Sequence, residues 1–87
     1  MVKETPVTVK IDDNTITLFW GEKPTGGYHI RIEDMQFLRG TLTVFYALKS
    51  PKPGDMVIMV ITYPSATADL PVKAETIEHV KLVEIDS

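Results

Sequence analysis

Apolar residues recur at every second position over most of this chain, and this alternation constrains the fold more than any other feature. Side chains of a β-strand point to opposite faces in turn, so a period of two predicts strands with one buried face. No stretch of helical length keeps an apolar stripe free of glycine, proline or β-branched residues. With 87 residues, we expect one domain spanning 1–87 with an all-β fold, a single small sandwich or partly open barrel of about seven strands.

One of the predicted strands differs from the others because it lacks alternation. Met56–Tyr63 is apolar at every position except Thr62, which favours a central strand buried on both faces, with an oligomer interface as the alternative. A polar stretch at Ser65–Asp69 then leads to the next strand. The seven predicted strands are Val7–Ile11, Thr15–Trp20, Tyr28–Glu33, Thr41–Leu48, Met56–Tyr63, Leu70–Lys73 and Glu78–Ile85.

The connections between these strands carry turn residues. Asp12–Asn14 predicts a tight hairpin turn, and a second turn is expected over Met35–Gly40. The two prolines of Ser50–Asp55 predict a rigid loop, because proline fixes φ and donates no ladder hydrogen bond. The segment Val72–His79 is compatible with one helical turn around its Ala-Glu-Thr sequence.

Composition argues against several classes of function. There is no cysteine, and the two histidines, His29 and His79, are too far apart in sequence for a metal-ligand motif, so we expect no metal and no cofactor. There is no nucleophile elbow, and the paired acids Asp12–Asp13 and Glu33–Asp34 lie at predicted strand ends, where acidic residues solvate turns. We therefore expect no enzymatic activity. The net charge is −3 with scattered basic residues, which argues against nucleic acid as a partner.

The sequence also bears on compartment and source. No apolar run is long enough to span a membrane, and the first ten residues lack the apolar core of a signal peptide. As written, the chain is expected to be cytoplasmic, with an exported parent protein as the alternative. The only side-chain amides are Asn14 and Gln36, and together with the absence of cysteine this depletion of thermolabile residues points to a thermophilic source.

The least generic segment is the loop Gly21–Tyr28, which contains a proline and three glycines. Its proline restricts the backbone and its paired glycines permit a sharp reversal, so the loop is suited to binding with little loss of entropy. The alternative is a connection between two sheets that needs glycine for its geometry. The candidate partner-binding residues are Lys23, Pro24, Thr25, Gly26, Gly27 and Tyr28, with Pro51, Lys52, Pro53 and Gly54 in a second loop beside them.

The run G-E-K-P-T-G-G-Y, followed by S-P-K-P-G-D-M-V and then T-Y-P, resembles the C-terminal domain of the protease complex subunit PrcB family. The resemblance covers about residues 16–73, most of the chain. Members of this family are commonly exported or lipid-anchored accessory proteins, and the family name implies association with a protease complex. The resemblance therefore implies a single PrcB-like β domain that acts as a non-catalytic interaction module, an accessory or regulatory subunit whose partner is a protein, with a protease as the candidate.

Two alternative functions remain open at this stage. The loop is also similar to the first binding loop of chagasin-like inhibitors of cysteine proteases, N-P-T-T-G-Y, which it matches at Pro24, Thr25, Gly27 and Tyr28. A chagasin-like inhibitor is thus one alternative. The other is a homo-oligomeric structural domain, because Met56–Tyr63 and residues such as Phe19 and Phe45 offer more apolar surface than one small sandwich easily covers.

Overall fold

The computed structural model describes residues 7–85 and shows an all-β architecture of six strands in two three-stranded sheets. The first sheet has the order β1-β2-β5 and the second the order β3-β4-β6, and the two form a small sandwich that does not close into a barrel. The remaining residues, 1–6 and 86–87, lie outside the described part of the expected domain 1–87. The strands are β1 (Thr8–Ile11), β2 (Thr15–Phe19), β3 (His29–Leu38), β4 (Thr41–Lys49), β5 (Ser65–Asp69) and β6 (His79–Glu84).

The first sheet is built around β2, whose apolar residues alternate as the sequence predicts. The hairpin from β1 closes at the predicted turn, where the Asp12 amide donates to the Thr15 carbonyl at 2.9 Å. Ile16 and Leu18 point inward and are fully buried, while Phe19 at the end of the strand is exposed. On its other side β2 pairs antiparallel with β5, so β2 is the centre of this sheet.

The second sheet combines an antiparallel and a parallel pair. Strands β3 and β4 form a hairpin whose two loop residues, Arg39 and Gly40, both have positive φ, 50° and 81°. Positive φ at both central positions is the conformation that matches the twist of a two-residue hairpin. Strand β6 then joins the other edge of β4 in parallel, from Thr41 opposite His79 to Tyr46 opposite Glu84.

Strand β3 is longer than expected because it contains a β-bulge. The register with β4 shifts between Ile32 and Asp34, which leaves Glu33 as an extra residue on β3. An extra residue changes the phase of the alternation, so Ile32 before the bulge and Met35 after it both pack against the core. The prediction of a turn over Met35–Gly40 was therefore wrong, since the strand continues to Leu38 and the turn is confined to two residues.

The core lies between the two sheets and is apolar throughout. The pKa of the Tyr46 phenol, which is 1% exposed, is raised above its usual value, first by burial and second by the nearby Glu84 carboxylate. The core residues in contact with one another are Val7, Ile16, Leu18, Ile30, Leu42, Val44 and Tyr46.

Two of the predicted strands, Met56–Tyr63 and Leu70–Lys73, are not formed, and the residues between them form β5 instead. Met56–Tyr63 is not a central strand: it is irregular and exposed, and only Thr62 within it forms a β-bridge. Leu70–Lys73 is not a strand either, because the pairing with β2 is made by the preceding Ser65–Asp69, which turns the small Ala66 and Ala68 side chains inward.

The predicted helical turn is present as a short 3-10 helix at Ala74–Thr76, and the last strand forms within the expected Glu78–Ile85. The backbone N–H of Ile77 closes this turn by donating to the Ala74 carbonyl at 3.1 Å. Within residues 7–85, no helix has the length and apolar character that crossing a membrane requires.

Candidate functional site

The loop Gly21–Tyr28, here called the Pro-Gly loop, carries the chain from β2 in the first sheet to β3 in the second. Gly21 and Gly27 near its two ends both have a φ of +89°, a conformation that L side chains rarely adopt. Of the six predicted binding residues, Pro24 is exposed, whereas Lys23, Thr25, Gly26, Gly27 and Tyr28 are half-buried. The positive φ expected in this loop is thus present at Gly27, but the loop is less exposed than the sequence suggested.

The Pro-Gly loop is half-buried because the segment Met56–Tyr63, here called the apolar strap, runs antiparallel beside it. The amide of Lys23 donates to the Thr62 carbonyl at 2.8 Å, and the amide of Thr62 donates back to the Lys23 carbonyl at 2.9 Å. A third bond joins the Gly26 amide to the Ile58 carbonyl at 2.8 Å. The Thr62 hydroxyl adds a fourth, to the Thr25 carbonyl at 2.8 Å. These bonds fix the backbone of the loop along its length.

An aromatic pair holds the base of the loop. The rings of Trp20 and Tyr28 meet edge to face with centroids 5.5 Å apart. The Lys23 ammonium lies 4.3 Å from the centre of the Trp20 ring and 5.8 Å from that of Tyr28, within the range of cation–π attraction. Lys23 is therefore engaged inside the site and is poorly placed to act as a freely extended cation.

A hydrogen bond between side chains joins the start of the Pro-Gly loop to the C-terminal end of the apolar strap. The Tyr63 hydroxyl donates to Glu22 Oε1 at 3.2 Å. This bond, followed by the Coulomb field of the same carboxylate and slight burial, raises the pKa of Tyr63, because ionisation of the phenol would place two negative charges together. Both side chains are otherwise exposed to solvent.

The second predicted loop, Pro51–Gly54, is closed by its own hydrogen bonds. The Asp55 amide donates to the Lys52 carbonyl at 2.9 Å, and the Lys52 amide donates to the Asp55 carboxylate at 2.8 Å. The loop lies against the Pro-Gly loop at Gly27, where a built β-carbon would lie 3.0 Å from Cβ of Pro51. The structure thus places Pro51 against the first loop, while Lys52, Pro53 and Gly54 are exposed.

The strongest feature that sequence reasoning missed is the exposure of the apolar strap. An unbroken apolar run is the signal that marks this segment, but the run alone does not say whether another part of the chain covers it. Within the strap, Val57 and Thr62 are half-buried and the other six side chains are exposed. Their exposed fractions are Met56 100%, Ile58 70%, Met59 80%, Val60 53%, Ile61 58% and Tyr63 69%.

A depression next to the site is lined by residues of β3 and β4. His29 of β3 and Lys49 of β4, which are paired across the two strands, both line it. Arg31 also lines it, and its guanidinium forms an ion pair with Glu33. No carboxylate or hydroxyl side chain is among its lining residues, and within residues 7–85 no three potential metal-ligating side chains come together.

A family model described as PrcB C-terminal matches residues 15–71. The match begins at β2, includes the Pro-Gly loop, both strands of the β3–β4 hairpin, the second loop and the apolar strap, and ends just after β5. No curated protein and no solved structure matches the sequence.

Proposed function

Since the chain belongs to the PrcB C-terminal family, we propose that it is a non-catalytic interaction domain that docks onto a protein of a protease complex. The contact surface in this proposal consists of the Pro-Gly loop and the neighbouring Pro51–Gly54 loop. The observation that carries the proposal is that the Pro-Gly loop exposes Glu22 and Pro24 on a backbone that hydrogen bonds hold in one conformation.

A loop fixed before binding loses little conformational freedom when a partner is bound. Ordering of flexible loops and side chains is one of the main free-energy penalties of association, so preorganisation raises affinity without additional contacts. Here three backbone hydrogen bonds to the apolar strap and the Lys23 contact with Trp20 fix the loop. Proline at position 24 restricts the exposed tip further.

The hydrogen bonding of the loop favours docking over protease inhibition of the chagasin type. An inhibitory loop of that type would have to enter an active-site cleft. In this chain, the Thr25 carbonyl accepts a bond from Thr62, and the Gly26 amide donates to Ile58, so the strap accompanies the loop over most of its length. A loop that the strap holds along its length is not free to enter a narrow cleft, which favours contact with the outside of a folded partner.

Site-specific photocrosslinking tests the proposal. A photoreactive amino acid at Pro24 should crosslink the domain to a protease or to another subunit of its complex in an extract of the source organism, identified by mass spectrometry. The matched control carries the same amino acid at Lys81, an exposed residue of β6, which lies at the edge of the second sheet. Equal crosslinking from both positions, or capture only of proteins unconnected with proteolysis, would contradict the proposal.

A peptide-cleavage assay separates docking from inhibition. We expect the domain to leave the activity of papain-type proteases unchanged at equimolar concentration. We also expect the captured protease to cleave small peptides at an unaltered rate when the domain is bound. Stoichiometric loss of activity toward small peptides would favour the inhibitor alternative and would refute docking outside the active site.

A further inference from the structure

The apolar strap points to an interface that the proposed docking function does not use. We propose that the strap is the contact between two copies of this chain, which pair their Met56–Tyr63 segments antiparallel across a two-fold axis near Met59. This inference does not depend on the docking function, because the Pro-Gly loop borders the strap on one side and the second copy approaches from the other.

The first support is the amount of apolar surface that the fold leaves in water. Six large side chains of the strap are 53–100% exposed. With areas of about 150–200 Å² for a large side chain, their exposed parts amount to roughly 650–860 Å². A stable protein interface takes about 800 Å² from each partner, which is close to the area that these six side chains expose.

The second support is the set of unpaired backbone groups along the strap. Its bonds to the Pro-Gly loop use the Ile58 carbonyl and both backbone groups of Thr62. Among residues 7–85, no backbone group accepts a bond from the N–H groups of 56–61. The amide and carbonyl of Met59 form no backbone hydrogen bond with any of residues 7–85, so both are available to a second copy. Such an exposed edge without proline or charge is a template for pairing with another chain.

The third support is charge, which favours a second copy in the antiparallel orientation. No charged residue occurs between Met56 and Tyr63, so the pairing brings no like charges together within the segment. The nearest charged residue is Asp55, which directly precedes the strap. A two-fold axis at Met59 places Asp55 of one copy opposite Tyr63 of the other. The two aspartates then lie at opposite ends of the interface. A parallel arrangement would instead place the two carboxylates side by side, which is unfavourable. An antiparallel pair also closes at two copies, because each edge is used once.

Mass measurement in solution tests the dimer. At tens of micromolar, light scattering after size exclusion should give twice the mass of the chain. Ile58→Lys should weaken the dimer by at least about 100-fold, because two lysines would be buried in an apolar contact. The matched control is Leu38→Lys at the tip of the β3–β4 hairpin, since Leu38 and Ile58 are both 70% exposed. The control should leave the dissociation constant within about threefold of the wild type.

A monomeric wild type at about 100 µM, a higher oligomer, or an Ile58→Lys variant that dimerises as well as the control would overturn the proposal.

A second variant keeps the test independent of any folding defect in Ile58→Lys. The chain has no cysteine, so Met59→Cys introduces a single thiol. The two Cα atoms at the axis would be about 5.5 Å apart, within disulfide range.

Mild oxidation should therefore convert Met59→Cys largely to a covalent dimer and leave Leu38→Cys monomeric. Equal crosslinking of the two variants would refute the assignment of the axis. The outcome is separable from the docking function, because crosslinking from Pro24 to a protease-complex protein reports on a different surface.

Discussion

Replacing Gly27 with alanine probes the point where the two loops and the apolar strap meet. Gly27 has a φ of +89°, and an alanine held in a left-handed conformation is strained by about 1–2 kcal/mol. The added β-carbon would also lie 2.9 Å from Cγ1 of Val57 and 3.0 Å from Cβ of Pro51, so these neighbours would have to move. Overpacking of this kind costs about 1–3 kcal/mol, which together with the backbone strain gives an expected destabilisation of roughly 2–5 kcal/mol.

Two other glycines of the same loop separate the two contributions. Gly21 has the same φ of +89° but no heavy atom within 4 Å of its built β-carbon, so Gly21→Ala should show only the backbone strain, about 1–2 kcal/mol. The φ of Gly26 is not in the left-handed region, and the nearest atoms to its β-carbon are at 3.7 Å. Gly26→Ala should therefore be neutral, or stabilise by about 0.4–1 kcal/mol through the unfolded chain.

Urea denaturation followed by the fluorescence of Trp20 measures all three variants. Trp20 is the single tryptophan and contacts the loop, so its signal reports directly on this region. Thermal unfolding should agree, with Tm falling by about 4–8 °C for each kcal/mol lost. The packing argument fails if Gly27→Ala is no more destabilising than Gly21→Ala, and the backbone argument fails if Gly26→Ala is as destabilising as either.

Further outcomes follow from other parts of the fold. Burial, and secondly the Glu84 carboxylate, raise the pKa of Tyr46 above 10.0. The neutral phenol therefore contributes its full stability below pH 10, and this contribution is lost as the pH rises further. Urea titrations between pH 9 and 11 should show a steeper loss of stability in the wild type than in Tyr46→Phe. Arg39→Asn should raise stability by about 0.5–1 kcal/mol, because asparagine tolerates the positive φ of the hairpin turn better, and an unchanged or lower Tm would count against that turn geometry. In dilute, monomeric protein, Ile58→Asp should change the free energy of unfolding by less than about 0.5 kcal/mol, because Ile58 is exposed. Leu18→Ala in the core should lower it by about 2–5 kcal/mol. A large effect of Ile58→Asp would mean that the strap is buried.

Sequence patterns predicted the strands wherever one face is buried and the alternation is uninterrupted. Strand β4 is an example, since Leu42, Val44 and Tyr46 alternate with half-buried residues as expected. The pattern failed at β3 because the bulge at Glu33 shifts the alternation by one position, and period counting treats such a shift as the end of a strand. It failed at Ser65–Asp69 because alanines give a weak hydrophobic signal, and pairing with β2 decides the conformation.

The apolar strap illustrates a different limit of sequence reasoning. A continuous apolar run occurs both in a doubly buried strand and in a segment that no part of its own chain covers, and hydrophobicity alone does not distinguish the two. The Pro-Gly loop was predictable because proline and glycine act on the local backbone. The contact of Lys23 with Trp20 and the bonds to Thr62 were not predictable, since they depend on how distant parts of the chain meet.

The parallel pairing of β6 with β4 affects the time course of folding. Thr41 lies opposite His79, so 38 positions (79 − 41) separate residues that must find each other, whereas β3 and β4 meet across a two-residue turn. Closure of a long chain segment is entropically slow, and we expect the β3–β4 hairpin to form early and to wait for β6. Until β6 pairs, the backbone groups on one edge of β4 are unpaired and can bind a strand of another chain. Pulse-labelled hydrogen exchange during refolding should then show protection of β3–β4 amides before those that join β6 to β4, and simultaneous protection would exclude this order.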